Sequence, residues 1–238
     1  MKISIKQKIL MEHLNNVIRG ISSKNLIPIL NCIKFELTND GLYLLSTDNE
    51  IAIKSFIPAS NIEKIDTLGE IVISGRYIYD IVRKLNNEII NIEEIIDSQV
   101  LITTSSSNFK LNCNNVSEFP DLNLDFIENP IIMKNKLFKT SINQTIFSTS
   151  TQESRPILTG LNIKVNKDIL ELTATDSYRL SKKIIKLQDK IENNIDIQKP
   201  CHQINKFEKN IIKNILSNLT LNAISPIKGG EIVSCGGI

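Results

Sequence analysis

The 238-residue sequence predicts an α+β fold built from two copies of one unit, each with two helices on an antiparallel sheet. The first observation is an internal repeat. Residues 28–30, Pro-Ile-Leu, recur at 156–158, and the Thr-Asp pair at 47–48 recurs at 175–176, both at an offset of 128. The second is strict alternation of apolar and polar residues in short segments after each repeat start, which is the period of strands. The third is apolar residues at helical spacing before those segments.

In the first unit, helical spacing predicts helices over 6–19 and 76–85. Their predicted buried faces consist of Ile9, Leu10, Leu14, Val17 and Ile18, and of Tyr77, Ile78, Ile81, Val82 and Leu85. Alternation predicts strands at 32–38, 42–47, 50–56, 89–95, 98–104 and 107–112. The run of three serines at 105–107 reads as a polar turn between the last two strands.

In the second unit, the same patterns predict helices over 134–146 and 202–215 and strands near 160–166, 169–175 and 178–187. The first of these helices turns Leu137, Phe138, Ile142 and Ile146 inward. The joint falls near the stretch FIENP at 126–130. We therefore predict a first domain over 1–128 and a second over 129–238, the second being incomplete with a divergent tail from about residue 216.

The composition excludes several classes of protein. Apolar residues make up 41% and charged residues 23%, which is an ordinary globular balance and not that of a disordered chain. No apolar run reaches the roughly 18 residues of a membrane span, and the first residues do not form a signal peptide. The four cysteines (Cys32, Cys113, Cys201 and Cys235) have no paired spacing. We expect free thiols, a cytoplasmic protein and no membrane partner.

The sequence carries no convincing catalytic motif. It lacks both a phosphate-binding loop and a dinucleotide fingerprint. His13 and His202 are far apart, and Cys201 with His202 lacks two further ligands for a metal. The repeat-related Asp48 and Asp176 could form a paired-carboxylate site, but aspartate after threonine more often closes a turn. We therefore predict no enzyme activity, no metal and no cofactor.

Positive charge is concentrated in the four predicted helices, which carry a net +9 while the rest of the chain carries −7. Such a basic helical layer fits loose contact with the phosphates of a nucleic acid, because lysine and arginine bind phosphate without reading sequence. The alternative is a solvated lysine surface in a chain with 23 lysines and only five arginines. No aromatic residues are interleaved with the charges to form a stacking platform.

Five segments resemble the bacterial DNA polymerase III beta subunit, the family of β sliding clamps. They are ISSKNLIPIL at 21–30, ISGR at 73–76, SEFPDL at 117–122, ESRPILTG at 153–160 and TATDSYRL at 173–180. The resemblance implies a DNA clamp fold with basic helices lining a ring and sheets facing outward. It also implies a function: a non-catalytic processivity factor that tethers the replicative polymerase to duplex DNA during DNA replication.

The resemblance also implies two sets of site residues. Duplex DNA, bound without regard to sequence, would be contacted by Lys24, Arg76, Gln152, Arg155, Pro156 and Ile157. The polymerase III alpha subunit and the clamp loader would insert short linear motifs into a pocket formed by Leu158, Thr175, Ser177, Tyr178, Arg179 and Leu180. Many relatives carry aromatic residues at the positions of Pro156 and Ile157, and Gly-His at those of Ser177 and Tyr178.

Members of the family have three copies of the unit and form a homodimeric ring, whereas the resemblance here covers the first copy and most of the second. We therefore expect that this chain does not form the stable two-chain ring. The alternative function is a non-ring interaction module, or a degenerate truncated copy, that binds the motifs of clamp partners. Neither of these two functions involves a catalytic residue.

Overall fold

The computed structural model describes residues 1–21, 27–48, 51–86, 88–95, 98–121, 132–152, 154–188, 195–200, 219–220, 226–227 and 230–234. The chain divides into two compact units, Met1–Leu124 with Pro226–Gly236 and Asp125–Ser225 with Gly237–Ile238. In the described part of the chain, no helix is long and apolar enough to cross a membrane.

The first unit contains two helices and a large sheet. Its elements in chain order are β1 (Lys2–Lys6), α1 (Gln7–Val17), β2 (Cys32–Leu37), β3 (Gly41–Thr47), β4 (Ile51–Pro58), β5 (Lys64–Thr67), β6 (Gly69–Ser74), α2 (Gly75–Lys84), β7 (Ile89–Ile95), β8 (Gln99–Thr103) and β9 (Asn108–Asn114). The predicted strands and both helices are confirmed to within two residues at most ends. The short strands β1, β5 and β6 were not predicted.

These nine strands are hydrogen-bonded in the order β4-β3-β2-β6-β9-β8-β7-β1-β5, and every neighbouring pair is antiparallel. The link between β6 and β9 is short, because only Val72 and Ile73 pair there, with Asn114 and Cys113. Hairpins join β2 to β3, β7 to β8 and β8 to β9, and the predicted serine turn lies in the last of these. The result is the antiparallel sheet that the alternating pattern predicts.

The helices of the first unit bury one apolar face each. In α1, Leu10, Leu14 and Val17 are fully buried, as predicted. In α2, Ile78 and Val82 are buried, but Tyr77 is 65% exposed, so its predicted place in the core is wrong. Tyr77 follows Arg76 on the first turn of the helix, one position ahead of the stripe that faces the sheet.

A tail segment adds two further strands to the first unit, β16 (Pro226–Ile227) and β17 (Gly230–Ser234). The two are antiparallel to each other, and β17 runs parallel to β4, with Val233 opposite Ile53. This places residues 226–236 with the first unit, whereas the sequence-based division assigned the whole tail to the second domain. Parallel pairing has no local sequence signature, since it joins segments that are distant in the chain.

The second unit repeats the core of the first. Its elements are β10 (Ile132–Met133), α3 (Asn135–Asn143), β11 (Gly160–Asn166), β12 (Ile169–Thr175), β13 (Leu180–Lys186), β14 (Ile195–Pro200) and β15 (Leu219–Thr220). The four longer strands form an antiparallel sheet in the order β13-β12-β11-β14, and β10 pairs with β15. The predicted helix over 202–215 and the joint at 126–130 lie outside the described residues.

The offset of 128 appears in the structure as well. A 3-10 helix with proline at its start, Pro28–Asn31 in one unit and Pro156–Thr159 in the other, leads into the first strand of each three-strand meander. In the second unit, Phe138 and Ile142 of α3 pack in the core against residues of β11 and β12. Leu137 is 42% exposed, so its predicted inward position is wrong. In the second unit, these two repeated features, the 3-10 helix and the three-strand meander, position the candidate site.

Candidate functional site

Gln152 and Arg155 lie just before the 3-10 helix Pro156–Thr159, and both residues are exposed. The backbone N–H of Arg155 donates to the carbonyl of Gln152 at 3.5 Å, and the N–H of Leu158 donates to the carbonyl of Arg155 at 2.9 Å. Pro156 suits the first position of the helix because its fixed φ is already helical. The turn therefore presents these predicted DNA-contact side chains to solvent.

Ile157 is 69% exposed although its backbone is anchored. Its carbonyl accepts a hydrogen bond from the side-chain amide of Gln198, on β14. The next residue, Leu158, is only half-buried, and its carbonyl accepts the N–H of Ser150 at 2.8 Å. The 3-10 helix is thus held to the sheet on one side and to the segment after α3 on the other.

The loop between β12 and β13 is organised by Asp176. One carboxylate oxygen, Oδ1, accepts the backbone N–H groups of Tyr178 and Arg179, both at 3.0 Å. The other, Oδ2, accepts Nε–H of the Arg179 side chain at 2.9 Å. The two backbone hydrogen bonds are the main cause that lowers the pKa of Asp176. Asp176 is therefore the turn-closing residue that its position after Thr175 predicts.

The side chains on this loop point outward. Tyr178 is 98% exposed and Leu180 is 65% exposed. Ser177 has a φ of 79°, in the left-handed region that favours glycine. The hydroxyl of Thr175 donates to the carbonyl of Arg179 at 2.8 Å and closes the loop from the opposite side. All six predicted pocket residues therefore lie on two anchored turns of the second unit.

A short segment between α3 and the 3-10 helix links these two turns. The hydroxyl of Ser181, on β13, donates to the carbonyl of Thr145 at 2.6 Å. Two residues along the chain, the Phe147 ring lies under the guanidinium of Arg179, with 5.7 Å from Cζ to the ring centroid. Ser150 then bonds to Leu158 as described. The structure thus connects the predicted pocket residues through residues 145–150.

Sequence reasoning missed Phe147. It lies in the 3-10 helix Ile146–Ser148 and is 58% exposed. The available signal was its position, one residue beyond the predicted end of a helix whose buried face ends at Ile146. An aromatic residue there has no place in the helical core stripe.

The remaining predicted DNA contacts are divided between the units. Arg76 is exposed on the first turn of α2, in the first unit, and follows Gly75, where a Cβ would collide with the side chain of Ile21. Lys24 lies outside the described residues. Gln152, Arg155, Pro156 and Ile157 all belong to the second unit. The structure groups the last four on one turn.

Several helical cations are exposed without a carboxylate partner. Within the described residues, Lys8 on α1 and both Arg76 and Lys84 on α2 form no ion pair. Arg83, in contrast, pairs with Asp80 at 2.9 Å. Unpaired exposed cations can exchange small counterions for phosphates at little cost, which suits a polyanion.

The other side chains that could take part in chemistry, histidine and cysteine, have identifiable surroundings in the fold. His13 Nδ1 lies 2.8 Å from Ser55 Oγ, and burial lowers the pKa of this histidine. Cys32 and Cys113 are free thiols, the first buried and the second half-buried. Among the described residues, no group of three or more His, Cys, Asp or Glu could hold a metal. His202, Cys201 and Cys235 lie outside the described residues.

Comparison with known proteins matches both units to one family. Residues 1–125 match the sequence model for the N-terminal domain of the DNA polymerase III beta subunit, and residues 132–223 match that for its central domain. The beta sliding clamp of Streptococcus pneumoniae is 34% identical over 208 residues, which cover 86% of this chain and 55% of the relative. That of Bacillus subtilis is 34% identical over 213 residues, covering 88% and 56%.

Solved structures of sliding clamps have a fold similar to that of this chain. The DNA polymerase sliding clamp of Bacillus subtilis superposes with a TM-score of 0.84 at 34% identity, covering 88% of this chain and 56% of that one. The DNA polymerase III beta chain of Streptococcus pneumoniae gives a TM-score of 0.82 at 33% identity over the same share of each chain. The chain spans just over half the length of these relatives. With both of its units matched in sequence and in fold, the chain belongs to the DNA polymerase III beta subunit family, the beta sliding clamps.

Proposed function

We propose that this chain acts in DNA replication as a sliding clamp: a non-catalytic processivity factor that holds the replicative polymerase on duplex DNA. The observation that carries the proposal is the pair of anchored turns in the second unit. They present a cation and exposed apolar side chains at the positions that the family resemblance assigns to partner motifs. The names of the relatives, a DNA polymerase sliding clamp and a DNA polymerase III beta chain, support the same reading.

The partner-motif surface comprises Leu158, Thr175, Ser177, Tyr178, Arg179 and Leu180. Its proposed ligands are short linear motifs of the polymerase alpha subunit and of the clamp loader. The surface has the features of a peptide site, since apolar side chains are exposed beside one oriented guanidinium. Because these side chains are largely exposed on turns, we expect weak binding, in the high micromolar to millimolar range, or about 4–6 kcal/mol.

The DNA surface in this proposal uses Lys24, Arg76, Gln152, Arg155, Pro156 and Ile157. Cationic and amide side chains can contact phosphates of any sequence. Pro156 and Ile157 offer no donor side chain, so Arg155 and Gln152 would supply the polar contacts on that turn. We place the protein in the cytoplasm, where replication takes place in bacteria.

Loading on DNA circles tests the proposal against the alternative of a non-ring interaction module. The full chain is incubated with nicked circular DNA and, in parallel, with the same DNA linearised, in the presence of a clamp loader and ATP. Gel filtration in high salt then separates bound from free protein. A ring closed from any number of copies of the chain stays on the circle and slides off the linear ends, whereas an interaction module binds neither form in high salt. Loss from both forms would overturn the clamp function.

A further inference from the structure

Phe147 is an exposed aromatic residue on a rigid backbone. Thr145, fully buried, donates its hydroxyl to the carbonyl of Ser141 at 2.9 Å, and the N–H of Ser148 donates to the carbonyl of Thr145 at 3.1 Å. Ser148 is itself buried. The 3-10 turn is therefore fixed on both sides of Phe147, while 58% of the Phe147 surface remains exposed.

The ring of Phe147 and the carboxylate of Asp176 hold the guanidinium of Arg179 between them. The Arg179 Cζ lies 5.7 Å from the ring centroid, and Nε donates to Asp176 Oδ2 at 2.9 Å. The Arg179 side chain is nevertheless 58% exposed, and its two Nη atoms make no hydrogen bond to any described residue. A planar donor pair is thus oriented and left open, a geometry that matches a carboxylate.

Apolar surface continues beyond the ring. Leu180 comes directly after Arg179 and is 65% exposed, and Leu158 is tied through Ser150 to the segment that carries Phe147. Exposed apolar side chains lie here beside a fixed guanidinium. A ligand that fits this surface needs an apolar side chain to cover the ring and an anion to pair with the guanidinium. An extended segment can satisfy both, because side chains two residues apart on an extended backbone point to the same face.

We propose that Phe147 is a further contact residue of the partner-motif surface. Its occupant is an extended segment that lays an apolar side chain across Phe147 and Leu180 and gives Arg179 a carboxylate from two residues further along. This inference rests on the function proposed above for the same surface and adds to it one residue and one chemical requirement, the carboxylate.

The test is a titration of the full chain, labelled with 4-fluorophenylalanine, with the peptide acetyl-Gly-Leu-Gly-Asp-Gly-amide, whose Leu and Asp side chains lie on the same face of an extended backbone. The chain has eight phenylalanines, and Phe147→Leu identifies the resonance of Phe147 by its loss. We expect the Phe147 resonance to shift on addition of the peptide. Phe147→Ala should weaken binding by about three- to tenfold, since roughly 50 Å² of apolar contact is lost. The peptide with Asn in place of Asp should bind several-fold more weakly.

Ile184→Ala is the matched control, because Ile184 on β13 has the same 58% exposure as Phe147 and lies further along the strand. It should bind the peptide like the unmodified chain. If Leu158→Ala and Leu180→Ala weaken binding but Phe147→Ala does not and its resonance stays still, the inference is overturned while the peptide surface stands. If the unmodified chain does not bind the peptide at all, the proposed peptide function falls with it.

Discussion

Cys113, on β9, carries a thiol that resists ionisation. Burial, together with the nearby carboxylate of Glu94, raises its pKa to about 11 from the ordinary 9.0. Because the folded state disfavours the thiolate, the contribution of Cys113 to stability is complete below the unfolded pKa and is lost as the pH rises toward 11. The free energy of unfolding should therefore fall over this alkaline range.

The same shift predicts slow alkylation of Cys113. At pH 8 its thiolate fraction should be roughly a hundredfold smaller than that of a thiol with the ordinary pKa, and only the thiolate reacts. Iodoacetamide labelling of a Cys201→Ser, Cys235→Ser variant, read by peptide mass spectrometry, measures the rate. The control is the same variant unfolded in urea. Equal rates in the folded and unfolded chains would contradict the raised pKa.

Ser177 offers a second prediction at the scale of one residue. Its φ of 79° is unfavourable for a side chain with a Cβ, so Ser177→Gly should raise the free energy of unfolding by about 0.5–1 kcal/mol. Ser106→Gly is the control: Ser106 is an exposed turn residue outside the left-handed region, and glycine there adds only freedom to the unfolded chain. Urea unfolding of both variants measures the change in the free energy of unfolding. A destabilised Ser177→Gly variant would refute the prediction.

Among the elements, the β12–β13 loop depends on a single carboxylate. Asp176→Asn keeps an acceptor for the two backbone N–H groups but removes the charge that holds Arg179, whereas Asp176→Ala removes both functions. We expect Asp176→Ala to destabilise the unit, as the loss of a capping side chain does, and Asp176→Asn to destabilise it less. Urea unfolding measures both. Equal stability of the two variants would contradict this role of the acceptor oxygen.

The same carboxylate makes the loop sensitive to acid. Since the pKa of Asp176 is lowered below the ordinary 3.8, its stabilising effect is present above the unfolded pKa and is lost as the pH falls through the folded pKa. Amide resonances of Tyr178 and Arg179, followed from pH 6 downward, should titrate with a midpoint below 3.8. A midpoint at or above 3.8 would contradict the hydrogen-bond geometry.

At the scale of the whole molecule, cations on helices and turns predict how DNA binding depends on salt. Each phosphate contact contributes a slope of about −0.9 to log K against log salt, so Lys24→Ala with Arg76→Ala should make the slope less negative by about 2. Fluorescence anisotropy with duplex DNA at several salt concentrations measures the slope.

The matched control removes the same charge from exposed strand residues, Lys110 on β9 and Lys164 on β11. If the helices and not the sheets meet DNA, Lys110→Ala with Lys164→Ala should leave the slope within experimental error of the unmodified chain. A change in the control equal to that of Lys24→Ala with Arg76→Ala would mean that the number of positive charges, and not their location, governs binding.

Local patterns predicted much of this fold, because its repeated elements are short and joined by turns. The meander β2–β4 and its counterpart β11–β13 have clear alternation, and a proline opens the 3-10 helix before each. Within residues 1–121, the three strands β1, β5 and β6 escaped prediction. The alternation of β1 runs into α1 without a turn residue between them, and β5 is largely exposed. In β6 the apolar run is only residues 71–73, which is too short to be told from a helix segment.

Sequence patterns were enough to predict the two-unit plan, the meander strands and the turn role of Asp176. The first follows from a repeat at a constant offset of 128, and the other two depend on residues only a few positions apart. Three features could be seen only in the folded chain: Phe147 contacts Arg179, Tyr77 faces solvent, and β17 lies parallel to β4. Those contacts join residues distant in the chain, or depend on which side of a helix meets the sheet. The periodicity of the sequence predicts which face of an element a residue lies on. Which neighbour that residue contacts depends on how the elements pack in the folded protein.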